Sequence, residues 1–349
     1  MKLNVHLVVW NGGKYIPFLF DSLKKQSFTD WKLFILDNGS TDKTVSEIKK
    51  QIIDFPVEVE LIENKENLGF AKGHNTLVES RKSKVKSQYI LLVNQDMYLE
   101  EDCLEKMVKF MNENQDCAVV SPRLMKWDFG GMQNAERRMQ NSFTNKIDSL
   151  GLKVLRSRRV IEKYTGKDWD EKKSRLELSH RTQGQTMEVF GVSGAIPLFR
   201  RSVIEEVGLF DESFVSYKED VDLAFRLCSA GYKAFVLLDA VAYHDRSAEG
   251  VEKMSGKNKK NQSDLVKYYS YRNHLITILK NEYWQNYLLD FFFIEWYELK
   301  KFVWFLLFDR GVLRGLRDII KISEDLKIKR LKIKKLRKVS WREMRKWFR

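Results

Sequence analysis

The chain has 349 residues, 43% of them hydrophobic, which is enough apolar material for a folded core and excludes global disorder. Its formal net charge is +14, from 62 Lys and Arg against 48 Asp and Glu, so a polyanionic partner has to be considered. Residues 321–349 contain 13 basic and 3 acidic residues and carry +10 of that charge, which leaves the preceding residues close to neutral.

The N-terminal residues run from a short strand pattern into Asn11-Gly12-Gly13 and lack the long apolar region of a signal peptide, so we expect a cytoplasmic protein. The most apolar stretch, Tyr283–Phe308, is interrupted by five charged residues and could lie on a membrane without crossing it. The three cysteines are far apart, so we expect neither a disulfide framework nor a structural zinc site.

The first 120 residues alternate short apolar runs with helical patterns. The predicted strands are Leu3–Val9, Lys32–Asp37, Val57–Glu63, Tyr89–Asn94 and Ala118–Ser121. The predicted helices are Tyr15–Gln26, Thr41–Gln51, Phe70–Ser80 and Glu101–Asn112. Strands that are apolar on both faces and separated by helices predict an α/β fold, with a mostly parallel sheet covered by helices on both sides.

Polar residues follow three of these strands, at the sheet edge where α/β proteins bind ligands. They are Asn11-Gly12-Gly13, then Asp37-Asn38-Gly39-Ser40-Thr41-Asp42, then Asn94-Gln95-Asp96. Turn formation and helix capping explain Ser40 and Thr41. A turn needs no charge at Asp37 or Asp96, so we interpret these two carboxylates as functional.

Between Arg123 and Glu188 the strand pattern disappears, which predicts a variable insertion whose loops serve acceptor specificity. A second apolar region, Val189–Arg200, contains Ser193-Gly194-Ala195, and a helix over Arg201–Val207 follows it. Another helix is predicted to begin near Lys218.

Three carboxylates occupy the first turn of that later helix, where the helix dipole favours negative charge. Asp222 can pair with Arg226 four residues on, and this structural role is sufficient for it. The adjacent acids Glu219 and Asp220 form a denser negative spot, which is typical of a general base.

His244 ends a further apolar strand, over Ala234–Leu238 and Ala240–Tyr243. It is either a hydrogen-bonded structural residue or a ligand. With Asp96 it could hold Mg²⁺ or Mn²⁺, if substrate phosphates and water complete the coordination. Gly69 and Lys72 lie at the start of the third predicted helix, where backbone amides can approach a phosphate.

Beyond residue 250 the pattern is helical. Leu288, Phe292, Trp296, Leu299, Val303 and Leu306 recur at helical spacing, which fits either packing on the preceding domain or contact with a membrane. Residues 321–349 combine a basic amphipathic pattern with Trp341, Trp347 and Phe348, the composition of an interfacial anchor, and predict binding to the anionic inner face of the cytoplasmic membrane. We therefore predict a catalytic domain over residues 1–250, a helical region over 251–320 and a basic tail over 321–349.

Seven segments occur in one order over residues 3–250. They are Val8–Tyr15, Leu36–Asp42, Asn67–Ala71, Asn94–Asp96, Gly191–Ala195, then Phe210–Glu212 with Tyr217–Leu223, and finally His244. Together they resemble the signature of family-2 glycosyltransferases, particularly the rhamnosyltransferase-like branch, and imply its GT-A fold. The resemblance also implies inverting transfer of a sugar, such as rhamnose, from a nucleoside-diphosphate donor to a hydroxyl of a lipid-linked or polysaccharide glycan acceptor.

The resemblance assigns roles by position. Asp220, beside Glu219, would be the base; Asp96 would be the acid of the metal-binding triplet and His244 an additional ligand of the divalent metal. Asp37 would bind the base or ribose of the donor, and Gly194 would lie where acceptor and sugar meet, between Ser193 and Ala195. The nucleotide-sugar site would also use Val9, Trp10, Asn11, Asn38, Gly39, Ser40, Gly69, Lys72, Asn94 and Gln95.

Two positions depart from the family pattern. Asn94 replaces the first acid of the triplet, which removes one charged metal ligand, and Trp10 replaces a smaller Tyr. Asn94 keeps open a second hypothesis, a catalytically weak sugar-nucleotide-binding or scaffold protein. A nucleic-acid-binding protein that uses the basic tail is a third, which the near-neutral body disfavours, and we expect no nucleic-acid partner.

Overall fold

The computed structural model describes residues 1–81, 87–130, 142–170, 182–183, 185–246 and 264–348. The predicted boundary at residue 250, parts of the 123–188 segment and the terminal Arg349 lie outside these ranges. Within them, an eleven-stranded sheet is flanked by helices, so the α/β class is confirmed.

The first half of the sheet is parallel, as its apolar strands predict. It consists of β1 (Leu3–Val9), β2 (Trp31–Asp37), β3 (Val59–Glu63) and β4 (Tyr89–Val93), in the order β4-β1-β2-β3. The helices between them are α1 (Ile16–Lys24), α2 (Thr44–Gln51) and α3 (Gly69–Arg81). Each lies within a few residues of its predicted range.

The second half of the sheet is mixed. It includes β5 (Met97–Leu99), β6 (Cys117–Trp127), β7 (Phe143–Ser149), β10 (Thr182–Gln183), β11 (Thr186–Val189), β12 (Leu198–Arg200) and β13 (Lys233–His244). β12 lies antiparallel between β4 and β6, while β13 runs parallel to β6. The loss of strand pattern predicted after Arg123 is wrong, because β6 continues to Trp127 and β7 to β11 follow, with β8 (Leu152–Val154) and β9 (Val160–Glu162) forming a separate hairpin.

Two apolar clusters cover the two faces of the sheet. One joins strand residues such as Leu7 to Leu19 of α1 and to Met107 of α4 (Cys103–Glu113). The other joins Leu92 to α5 (Arg201–Val207) and α6 (Glu219–Ser229), for example through Leu223. Because the central strands β1, β2 and β4 are packed on both sides, their ligand-binding groups are confined to the strand ends and the loops that follow.

The C-terminal helices, a name used below for α7 to α12, pack on the side of α6. They are α7 (Asp264–Asn281), α8 (Trp284–Leu289), α9 (Phe291–Phe308), α10 (Arg314–Lys321), α11 (Ser323–Leu336) and α12 (Trp341–Arg345). In the described part of the chain, none of the helices combines the length and hydrophobicity needed to cross a bilayer.

The segment predicted to be a membrane-binding tail is packed against the protein. Leu326 and Ile333 of α11 are buried, and Met344 and Phe348 join Phe225 of α6 in a shared apolar cluster. Trp341 and Trp347 pack against the same cluster. The apolar side chains that we expected to face a membrane therefore serve the core, because α6 and α7 offer them an apolar surface.

A buried ionic network fastens the C-terminal helices to α6. Lys280 of α7 bonds to Asp222 at 2.9 Å and to Asp211 at 2.5 Å, and Asp222 also pairs with Arg226 at 3.0 Å, as predicted. Lys329 of α11 reaches the other oxygen of Asp211 at 2.8 Å. These neighbouring cations outweigh burial and lower the pKa of both Asp211 and Asp222.

Candidate functional site

A cleft of about 480 Å³ opens where the carboxyl ends of the central strands meet. Val9 aligns with Asp37 across β1 and β2, and Leu7 aligns with Val93 across β1 and β4, so the polar segments after these strands start at one sheet edge. His244, at the end of β13, lines the same cleft. The prediction that these strand ends converge is confirmed.

The loop after β2, residues 37–42, is called the Asp37 loop below. It borders the cleft and is held in place by local hydrogen bonds. Oδ2 of Asp37 accepts the backbone N–H groups of Gly39 at 3.2 Å and Ser40 at 3.0 Å, which fixes the tight turn that Gly39 makes at φ +76°. Oδ1 of Asp37 is buried and has no hydrogen-bond partner among the described residues. An unpaired buried carboxylate oxygen is costly, so this atom is available to a donor group of a ligand.

Asn11 links the loop after β1 to the Asp37 loop. Its backbone N–H donates to Ser40 Oγ at 2.9 Å, and its own Oδ1 accepts the backbone N–H of Thr41 at 2.9 Å. The role of Ser40 and Thr41 is thus partly structural, as the turn chemistry of the sequence predicts.

Gln95 positions Trp10 at the cleft mouth. Oε1 of Gln95 accepts the backbone N–H of Trp10 at 2.9 Å, and Nε2 donates to the carbonyl of Trp10 at 3.2 Å. A Cβ at Gly12 would lie 2.3 Å from the Gln95 amide, so a larger residue there would displace that amide from Trp10. The Trp10 ring is half exposed and lines the cleft, where a planar ligand can stack on it.

Asn38 ties the Asp37 loop to the start of α3. Its Nδ2 donates to the carbonyl of Gly69 at 3.2 Å, and its Oδ1 accepts the backbone N–H of Leu68 at 3.3 Å. Gly69 lines the cleft, whereas Lys72 is exposed on α3 and is not part of the lining.

His244 lies between two buried carboxylates. Its Nε2 is 3.4 Å from Asp96 Oδ1, and its Nδ1 is 3.1 Å from Asp148 Oδ2. Burial alone would lower the pKa of His244, but the two carboxylates outweigh burial and raise the pKa to about 10. A carboxylate on Nδ1 also fixes which ring nitrogen points towards Asp96, an arrangement common around metal-binding histidines.

Sequence reasoning missed three residues of this cluster, namely Asp148, Glu162 and Arg246. Arg246 contacts Asp148 at 2.7 Å and Glu162 at 3.3 Å, and both Glu162 and Arg246 line the cleft. Burial raises the pKa of Glu162 against the opposing effect of the Arg246 charge. Asp148 and Glu162 come from β7 and β9, inside the segment read as an insertion, and the position of Arg246 two residues after His244 was the only local signal.

Asp220 lies at the start of α6 and faces the cleft. Its Oδ2 accepts the backbone N–H of Gly194 at 3.2 Å, and its Oδ1 accepts the N–H of Val221 at 2.7 Å. The preceding loop is strained, because Val215, Tyr217 and Lys218 have φ between +62° and +72°. Such strain in non-glycine residues is concentrated at functional sites.

Most predicted site residues surround this one cleft. The lining contains Val9, Trp10, Asn38, Gly69, Asn94, Gln95, Asp96, Ser193, Gly194, Ala195, Glu219, Asp220 and His244. Asn11, Asp37, Gly39 and Ser40 form the adjoining loops. The described residues contain no group of three or more His, Cys, Asp or Glu side chains arranged to hold a metal ion.

The fold with this cleft is the GT-A type. A crystal structure of GalNAc-T7 with UDP, GalNAc and Mn²⁺ matches 80% of the chain and 48% of that protein, with a TM-score of 0.57 and 12% sequence identity. At that identity the likeness establishes the fold alone.

The chain belongs to glycosyl transferase family 2, whose sequence model matches residues 5–208. It is 25% identical over 251 residues to the O-antigen chain rhamnosyltransferase RfbN of Salmonella typhimurium, which covers 71% of this chain and 67% of that protein. It is also 25% identical over 261 residues to the uncharacterized glycosyltransferase YfnE of Bacillus subtilis, covering 70% of this chain and 64% of that protein. The chain thus matches about two thirds of the length of these relatives.

Proposed function

We propose that this protein is an inverting glycosyltransferase that moves a sugar from a nucleoside diphosphate to an acceptor hydroxyl. The observation that carries the proposal is the Asp220 carboxylate, held by the backbone of Gly194 at the cleft that also contains Asp96 and His244. A base and a group of diphosphate-binding residues at one cleft are what such a displacement requires. Membership of glycosyl transferase family 2 supports the same reaction class.

The Asp37 side of the cleft would bind the nucleoside. The unpaired Oδ1 of Asp37 is suited to an N–H of the base or a hydroxyl of the ribose. Trp10, fixed through Gln95, would cover the base, while Asn38 and Gly69 keep the wall in place.

Asp220 would accept the proton of the acceptor hydroxyl. As that proton moves to the carboxylate, the acceptor oxygen forms a bond to the anomeric carbon of the donor. The bond between that carbon and the diphosphate oxygen breaks, and the nucleoside diphosphate leaves with its electron pair. Arg246 and Lys218 line the cleft and would attract the leaving diphosphate by their positive charge.

Asp96 and His244 fit a divalent metal, Mg²⁺ or Mn²⁺, with Asp148 orienting the imidazole through Nδ1. When bound, the metal would neutralise charge on the diphosphate. Asn94 supplies no negative charge to the metal, and the described residues contain no group of three or more His, Cys, Asp or Glu that could hold it. Diphosphate oxygens and water would therefore complete the coordination begun by Asp96 and His244.

The acceptor would be a hydroxyl of a lipid-linked or polysaccharide glycan, bound near Ser193, Gly194 and Ala195. The relative RfbN is named an O-antigen chain rhamnosyltransferase, which supports rhamnose as the first donor sugar to test. We therefore place this protein in cell-surface polysaccharide synthesis on the cytoplasmic side of the membrane.

A donor screen tests the proposal. The full chain is heated with a panel of nucleoside-diphosphate sugars, deoxythymidine-diphosphate rhamnose included, with and without Mn²⁺, and the melting temperature is followed. A ligand that binds the folded state raises it. The donor found is then incubated with a glycan acceptor, and the anomeric configuration of the product is determined by NMR.

A stabilising donor and an inverted product would support the proposal. A retained configuration would contradict the single-displacement reaction. Donor binding without any transfer or donor hydrolysis would favour the scaffold hypothesis that Asn94 motivates.

A further inference from the structure

Helix α9 presents an unusual surface. Of the 21 exposed large hydrophobic side chains among the described residues, 13 lie between Trp284 and Phe308, in α8 and α9. Elsewhere in the described chain such side chains are scattered, which is ordinary for a protein surface. The clustering therefore calls for a specific explanation.

Two of the four charged residues of α9 lie on the face that it turns towards the protein. Ile294, Glu298, Lys301 and Phe305 recur at helical spacing and face α7. Glu298 bonds to His274 at 2.7 Å, and Lys301 lies 4.7 Å from the ring centroid of Tyr271. The charged side chains of this face thus point into the protein, and burial lowers the pKa of Lys301 to about 8.

The opposite face of α9 carries an apolar stripe over four turns, with the exposed Glu295 and Lys300 at its edges. Phe292, Trp296, Leu299, Val303 and Leu306 follow at spacings of three and four residues, and all are exposed, Phe292 to 82% and Trp296 to 60%. A surface helix in water normally turns its apolar stripe to the core and its charges outward. α9 instead turns Glu298 and Lys301 inward and an apolar stripe outward, which is the arrangement expected of a helix that meets an apolar medium.

The charges around this face select the partner. The nearby acids are engaged with the protein: Asp290 with Arg158 at 3.0 Å, Glu295 with Tyr287, and Asp309 with Lys267 at 2.9 Å. In contrast, Lys300 of α9 and Arg310 just after it form no ion pair with a carboxylate within the described ranges. Lys300 lies 5.5 Å from the ring centroid of Trp296, and Arg310 donates to the carbonyl of Leu306. An apolar face bordered by available cations complements an anionic lipid bilayer.

We propose that the outward face of α9 docks the protein on an anionic membrane surface, with the helix lying in the interface. A second copy of the chain is a poorer partner, because a symmetric contact through this face would bring Lys300 and Arg310 of both copies together without carboxylates to pair with them. This docking role moves the membrane contact from the tail to α9. It does not depend on the identity of the donor or acceptor.

The test uses the full chain and vesicle flotation, with phosphatidylcholine vesicles that contain or lack phosphatidylglycerol. The variant is the triple substitution Phe292→Gln, Trp296→Gln and Leu299→Gln, whose side chains are exposed and so contribute little to folding. We expect the wild type to bind the anionic vesicles more tightly, and the triple variant to lose binding by at least about tenfold.

Two control variants separate α9 from other apolar positions. Ile53→Gln changes a side chain that is 76% exposed and lies between α2 and β3, and Ile328→Gln with Leu331→Gln changes the exposed apolar positions of α11. Both should bind vesicles like the wild type. All variants should keep the wild-type melting temperature and nucleoside-diphosphate affinity, which distinguishes failed docking from a failed donor site.

Wild-type vesicle binding by the triple variant would overturn the proposal, as would loss of binding in the α11 variant alone. Equal binding to both kinds of vesicle would overturn the anionic part of it. Light scattering gives the remaining outcome: a wild-type dimer that the triple variant dissociates, with no vesicle binding by either, would assign the face to self-association.

Discussion

The sheet with its cleft and helix α9 distribute polar groups in opposite ways. Around the sheet, apolar side chains fill both faces and carboxylates gather at one edge, with Asp37 and Asp96 after strands and Asp220 at the start of α6. In α9, Glu298 and Lys301 face the protein, while Phe292 and Trp296 face out. Hydrophobic patterning thus shows which side chains share an apolar face. Whether that face packs in the core or meets solvent depends on the elements around it.

The C-terminal helices join these two regions. Lys280 and Lys329 bind Asp211 in the loop before α6, and Met344 and Phe348 extend the apolar cluster around Phe225. Removing residues after 320 would therefore expose core and leave Asp211 without Lys329. Point substitutions, rather than truncation, separate membrane contact from folding.

The largest expected effect is at the cleft. Asp220→Asn should lower the transfer rate by about 10²–10⁴-fold, because the amide cannot accept the acceptor proton. Donor affinity, measured by isothermal titration, should be unchanged. The neighbouring substitution Glu219→Gln is the comparison, and full transfer by Asp220→Asn would disprove this assignment of the base.

The next largest effect, on stability, is expected at the buried ionic network between α6 and the C-terminal helices. Asp222→Ala should lower the free energy of unfolding by about 3–5 kcal/mol, because Arg226 would stay buried without its carboxylate and Lys280 would keep only Asp211. Urea denaturation measures this change. The control is Asp325→Asn, which removes a partly exposed ion pair with Lys329 and should lower the free energy of unfolding by at most about 1 kcal/mol. If both variants lose the same stability, burial does not add to the strength of the Asp222 network.

A smaller effect is expected at the cleft mouth. Trp10→Ala should weaken nucleoside-diphosphate binding by about 1–3 kcal/mol if the indole stacks on the base, by analogy with base stacking on aromatic side chains in nucleic-acid-binding proteins. Trp10→Tyr keeps an aromatic surface and should retain most of the affinity. If the Trp10→Ala and Trp10→Tyr variants both bind the nucleotide as tightly as the wild type does, the indole ring does not contact the base.

The smallest effect concerns pH. His74 of α3 is buried between Phe70 and Phe210 without a hydrogen-bond partner among the described residues, and burial lowers its pKa to about 3. An unfolded histidine has a pKa of about 6.5, so between these values only the unfolded chain binds the proton. Stability should therefore fall as the pH decreases below about 6.5, by at most about 1.4 kcal/mol per pH unit.

His74→Leu removes that proton-binding group and should give a shallower decline of the melting temperature between about pH 6.5 and 5. Glu324→Gln, at an exposed position of α11, should leave the wild-type decline intact. An identical decline in wild type and His74→Leu would show that other groups govern the acid sensitivity.

The sequence by itself determined the α/β class, the first strands and helices, and the meeting of the polar strand ends. These follow from local periodicity and from the direction of parallel strands, which needs no knowledge of distant contacts. The pairing of Asp222 with Arg226 could be predicted because the two residues are one helical turn apart.

Only the tertiary structure decided the parts that depend on distant residues. Asp148 contacts His244 across 96 residues of sequence, and Glu162 contacts Arg246 across 84. The local sequence around both carboxylates resembles an ordinary insertion. The basic tail and α9 both show apolar residues at helical spacing, yet the first packs on Phe225 and the second faces out. Periodicity establishes which side chains share a face, but what that face meets is decided by the rest of the fold.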